Sequence, residues 1–173
     1  MQNDLHVVTE MSQMVWQVVQ RSLDGITDEE IEWRPVPLSN NINIIVRHLC
    51  LEAEWHLNSL KNGAPMPFEV SPEQQRQLDA AALDYHENVA TLERLYAEFL
   101  AVLRAMTSEQ LKERTASAYG TRAAKRGLTH MLGYHQALHV VGHCGQIGMI
   151  RNLYGRTRGK PSRVPNNPTY LDR

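Results

Sequence analysis

Three histidines at four-residue intervals, His135, His139 and His143, are the residues best able to do chemistry in this chain. On an α-helix that spacing sets successive members one turn apart and rotated by only ~40°. Either adjacent pair can chelate one ion, with imidazole nitrogens about 2.0–2.1 Å from a divalent cation. The outer two cannot share it, because eight residues of helical rise separate them by ~12 Å. A further neutral imidazole from another helix would make a site with three nitrogens and an open position, the arrangement of catalytic rather than structural zinc. His48, midway along a second helical stretch, is the obvious donor. The competing reading is a solvated stripe whose charge follows pH. Glu52 lies one turn beyond His48 on the same face, where a carboxylate can orient a ligand imidazole or accept a proton from bound water. A plain helix-surface carboxylate is the alternative for it.

Long helices must position these residues. From Leu5 to about Leu23 the apolar positions Val8, Met11, Val15, Val18 and Val19 recur every three or four residues and predict a first helix. Thr27-Asp28-Glu29-Glu30 follows, a threonine cap with glutamate three residues on, and Pro35 and Pro37 stop the short turn it starts. A second long helix is expected from Ser39–Asn41 through Ile44, Ile45, His48, Leu49, Glu52 and Trp55 to Asn62-Gly63. Ser71-Pro72-Glu73-Gln74 reads as the start of a third, running to about Met106. Thr107-Ser108-Glu109-Gln110 opens another short capped turn, and a fourth helix is expected from about Ala123 to Tyr154, closing at Gly155. Leu103 to Leu111 echoes Leu23 to Ile31 at an offset of 80 residues. The repeat suggests two related halves, each a helical hairpin interrupted by a capped turn. The fold class expected is therefore all-α, a four-helix bundle over residues 1–155 with an extended tail at 156–173.

Composition bounds what such a bundle does. The 173 residues suit one domain, and 18 Lys plus Arg against 19 Asp plus Glu give no basic excess to attract nucleic acid. Apolar runs fall far short of the ~20 residues that span a bilayer, and no signal pattern opens the chain, so a cytoplasmic protein is expected. Two cysteines, Cys50 and Cys144, are too few for a disulfide framework and are expected as buried thiols, turned from the histidines by about 200° and 100° of helix rotation. Trp16, Trp33 and Trp55, with Met11, Met14, Met131 and Met149, are expected to fill the core or an interface. Gly142 and Gly145 cost helix stability of ~1 kcal/mol each, which points to close helix approach or to room near an ion.

The segment His139-Val140-Val141-Gly142-His143-Cys144-Gly145-Gln146-Ile147-Gly148-Met149-Ile150-Arg151 resembles the final-helix signature of the DinB-like family. Trp33-Arg34-Pro35 and Arg47-His48-Leu49 resemble that family's connector and second helix. The resemblance implies an up-down-down-up bundle, often dimeric, holding a divalent ion, commonly zinc or nickel. It assigns the ligands to His48, His139 and His143. His135 then becomes a contact to a ligand or substrate, or a plain core or surface residue. Many relatives carry glutamate just after the first of the last-helix histidines, where this chain has Val140. A zincin-like base is absent as well, since none of Val140, Val141 or Gly142 can take a proton. The base must come from elsewhere, and Glu52 is the candidate.

The resulting expectation is a metal-dependent enzyme that activates water or a low-molecular-weight thiol against a small molecule, as a thiol-dependent transferase or a hydrolase. Two readings from other classes stand beside it: a stress-associated metal-binding or dimerisation module without turnover, and a metal-free helical interaction protein. The expected partners are a small-molecule substrate and a second copy of the chain.

Overall fold

The apolar face of the first segment forms α1, Asp4–Leu23, which buries Val8, Val15 and Val19. It ends at Gly25, whose φ of +61° is the left-handed conformation that suits glycine after a helix. The computed structural model describes residues 4–62, 84–113, 115–117, 125–127, 132–133 and 135–159, the last two strands and 135–137 by backbone only. Thr27 caps α2, Asp28–Ile31, and its N–H donates to Glu30 Oε2 at 2.9 Å. Asn41 Oδ1 accepts from the Ile44 N–H at 2.9 Å and so starts α3, Ile42–Asn62. This helix is buried on nearly every side, with Ile42, Ile45, Val46, Leu49, Trp55 and Leu60 among its core residues.

The third long helix, α4, is Tyr85–Ala105. Asp84 is extended there (φ −52°, ψ 139°) and accepts from the N–H groups of His86 and Glu87 at 2.8 and 3.3 Å, so no single helix runs from Ser71 to Met106. A short aspartate that satisfies two free amides sets a helix start at its own position. The expected start at Ser71–Gln74 lies outside the described residues. α5, Ser108–Glu113, carries a complete reciprocal cap: Thr107 N–H donates to Gln110 Oε1 at 2.8 Å and Gln110 N–H to Thr107 Oγ1 at 3.2 Å.

The start of the last helix differs from expectation. β1, Thr115–Ser117, pairs antiparallel with β2, Lys125–Gly127, where a helix from Ala123 is predicted. Strands of three residues are too short to show alternation, and polar Lys-Arg-Gly carries no contrary signal. A π-helical turn, His135–Val140, then leads into α6, Val141–Thr157. α6 passes Gly155 and stops only at Gly159, with φ +64°. The expected tail from 160 onward lies outside the described residues.

Cross-helix contacts fix the topology. Asn43 meets Asn88 near the starts of α3 and α4, and Lys61 meets Glu98 further along both, so these two run parallel. Met11 lies beside Gly133 and Ser22 accepts from Arg151, so α1 and α6 also run parallel. Gln13 bonds Arg104 whereas Trp16 stacks on Tyr96, which makes α1 and α4 antiparallel. The bundle is up-down-down-up. Among the described residues its main interfaces are α3 with α4 and α1 with α6, and α1 and α3 share no extensive one. The two halves are thus not hairpins: the long helices of each half face across the bundle, and each finds its neighbours in the other half.

Candidate metal centre

His48 and Glu52 project from α3, one turn apart, toward the α6 side of the bundle. His139 comes from the π-helical turn and His143 from the first turn of α6. A π turn is a local misfit that recurs at functional positions, and here it joins regular helix between the two histidines. His139 Nε2 lies 3.0 Å from His48 Nε2 and 3.0 Å from His143 Nε2. All three ligand nitrogens fall within 4.8 Å of one another. Nitrogens held 2.0–2.1 Å from one tetrahedral ion would stand about 3.3 Å apart, so the two 3.0 Å separations lie within a few tenths of an ångström of what a divalent ion requires.

Electrostatics favour the same occupant. Burial first, then the neighbouring His143 and His48, lower the pKa of His139 from 6.5 to about 4, which leaves the ring near pH 7 in the neutral form that ligates a cation. The Glu52 carboxylate is only 2 % exposed, against 18 % for the His48 side chain and 33 % for that of His139. Its Oε1 sits 3.6 Å from His48 Nε2 and 3.8 Å from His139 Nε2. Glu52 therefore borders the converging nitrogens themselves. A carboxylate that merely orients a ligand histidine would approach the other ring nitrogen, Nδ1. A buried anion beside inward-facing lone pairs is a donor set that a cation completes.

Among residues singled out in the sequence, His48, His139, His143 and Glu52 are thus brought together. The side chain of His135 lies outside the described residues. Cys50 and Cys144 are buried free thiols. Cys50 Sγ donates to the Asn88 carbonyl at 3.1 Å, and burial pushes its pKa up to about 11. Among the described residues a Cβ placed on Gly142 or Gly145 would meet nothing within 4 Å, so no close helix approach among them accounts for these glycines. Trp55 is buried and Trp16 and Trp33 pack partly against the core, whereas Met14 (64 % exposed) and Met149 (56 %) face outward. Met131 lies outside the described residues. One contributor, Gln146, was not singled out by sequence. Gln146 Oε1 lies 2.9 Å from His143 Nδ1. Tyr96 is buried, and its hydroxyl pKa is raised by burial, with Cys144 and the Glu52 charge adding to it.

Fold and site together define an up-down-down-up helical bundle with a three-imidazole cluster between its second and last long helices. The family model of the DinB superfamily matches residues 12–147, and the chain belongs to that superfamily. A solved structure, YfiT from Bacillus subtilis, is similar to it over 92 % of this chain and 90 % of its own, with a TM-score of 0.65 and 17 % sequence identity. That protein is described as a probable metal-dependent hydrolase with an unusual four-helix bundle topology. No curated protein matches the chain significantly.

Proposed function

We propose that this chain is a divalent-metal-dependent enzyme acting on an electrophilic small molecule, with His48, His139 and His143 as ligands and Glu52 as proton acceptor. The observation that carries the reading is the buried Glu52 carboxylate, within 4 Å of two Nε2 atoms that converge on a third. Bound by three imidazoles, the ion supplies Lewis acidity and lowers the pKa of a nucleophile at its open position. The chain's own residues do the rest. Glu52 Oε1, on the His48–His139 edge, takes up the proton that the nucleophile sheds. The half-exposed His139 side leaves an approach for substrate, while α3 closes the opposite side with packed apolar residues.

Hydrolysis is the first choice of reaction, because a short proton path to a carboxylate suits water and the neighbour YfiT is described as a hydrolase. Transfer of a low-molecular-weight thiol is the second, since an ion on nitrogen ligands accepts thiolate well. Zinc and nickel both suit three imidazoles. The reading carries a cytoplasmic location and a homodimer with it. Among the described residues no helix is long and apolar enough to cross a membrane.

The test is turnover by protein loaded with zinc or nickel, using ester, amide and phosphoester panels and a thiol paired with electrophiles, each with and without chelator. Glu52→Gln should lower kcat by about 10²–10⁴-fold while metal content stays at the wild-type level. Undiminished turnover in Glu52→Gln would remove it as the base. A loaded protein with no chelator-sensitive turnover would instead favour the non-catalytic metal-binding module.

A further inference from the structure

Gln146 stands one helical turn beyond His143, with its Oε1 2.9 Å from His143 Nδ1. An amide oxygen only accepts, so the ring nitrogen facing it must carry the proton. A neutral imidazole protonated at Nδ1 keeps its lone pair on Nε2. That is the atom lying 3.0 Å from His139 Nε2, within the converging cluster. The opposite amide orientation would donate into Nδ1, move the ring proton to Nε2 and remove His143 from the ligand set.

We infer that Gln146 is a positioning residue that selects the Nδ1–H tautomer of His143 and aims its Nε2 at the ion. The inference deepens the proposed metal site and rests on it. His143 needs such help more than a ligand locked in the core would. Both it and Gln146 lie toward the surface, and a ring on a helix face can rotate about its side-chain bonds unless something holds its far nitrogen. Gln146 is placed to do so from the same helix, at a spacing of three residues, where side chains are neighbours. A purely structural pair at that spacing would support the helix slightly and add nothing to metal affinity.

The experiment compares wild type, Gln146→Met and Gln146→Glu, each stripped of metal and titrated with Zn²⁺ against a chromophoric chelator. Nitrogen-15 spectra of the metal-free proteins report the ring tautomer of His143. Gln146→Met, which matches glutamine in size but lacks the acceptor, should bind zinc 10–100-fold more weakly. Gln146→Glu, which restores an acceptor, should stay within a few-fold of wild type or bind more tightly. The thermal unfolding of the three metal-free proteins should agree, and wild-type His143 should be Nδ1–H with a mixed tautomer in Gln146→Met. Equal zinc affinity in wild type and Gln146→Met overturns the inference and leaves the metal site standing. An Nε2–H ring in the wild type overturns it too. A wild type that takes up no zinc removes both the site and the role assigned to Gln146.

Discussion

Crowding three imidazoles around one point has a thermodynamic cost that pH exposes. His139 in the folded chain titrates at about 4, below its ordinary 6.5, because its burial and two neighbouring rings oppose a charge there. Between those values the unfolded chain takes up a proton that the folded chain refuses, so the metal-free protein loses stability as pH falls from 6.5 toward 4. Above 6.5 this contribution is fully present, and below 4 the loss is complete. Denaturant melts of metal-free wild type and His139→Gln at steps from pH 7 to 4 should show the wild type losing ground to the variant through that window. A difference between the two that does not vary with pH would contradict the assignment. Spacing named a helix face but left two histidine pairs open, and only the resemblance chose His139 with His143. Depth was not legible. Periodicity sets Glu52 on the face of His48 but does not say that the carboxylate is nearly sealed, or that it meets Nε2 and not Nδ1. The partner of His143, Gln146, was visible only as a letter in the last-helix signature, because a spacing of three is common and says nothing about which ring nitrogen is engaged.

Among the elements, the join between α1, α2 and α6 depends most on one side chain. Arg151 donates to the carbonyls of Ser22, Asp24 and Gly25 at 3.1, 2.8 and 3.0 Å, and its Nε lies 3.5 Å from buried Glu30. It bonds carbonyls at and just beyond the end of α1 and faces the carboxylate that caps α2. Arg151→Ala should cost about 3 kcal/mol, lowering the Tm by roughly 6–12 °C, with Arg151→Lys in between because an ammonium cannot reproduce the planar fork. Calorimetry of the metal-free proteins would check this, and a shift below about 2 °C would show the network to be ornamental. Caps were the most readable elements: Thr27 and Thr107 act as their sequences predict, and Asn62 ends α3. The Asp84 cap was missed because Ala80-Ala81-Ala82-Leu83 before it are good helix formers, and an aspartate after such a run looks like a solvent-facing residue within a helix. The ribbon at Thr115–Ser117 and Lys125–Gly127 was missed because its pairing is between distant residues and leaves no local pattern.

At the scale of the whole molecule, the echo between Leu23–Ile31 and Leu103–Leu111 reappears as two capped turns, each carrying a buried aliphatic residue, Ile31 and Leu111. What the echo could not convey is that each half spans the bundle diagonally. Sequence order favours neighbours, and only the contacts of Asn43 with Asn88 and of Ser22 with Arg151 reveal parallel pairs made across halves. This arrangement is what brings α3 beside the π-helical turn and so lets His48 meet His139 and His143. The central claim, that the crossing of these helices exists to hold one cation, is tested most directly by anomalous scattering from crystals of untagged native protein grown without chelator. One divalent ion per chain is expected, about 2.0–2.1 Å from the Nε2 atoms of His48, His139 and His143, and lost in His48→Ala. Three rings in the same positions with no bound ion, even after soaking with zinc and nickel, would contradict the claim.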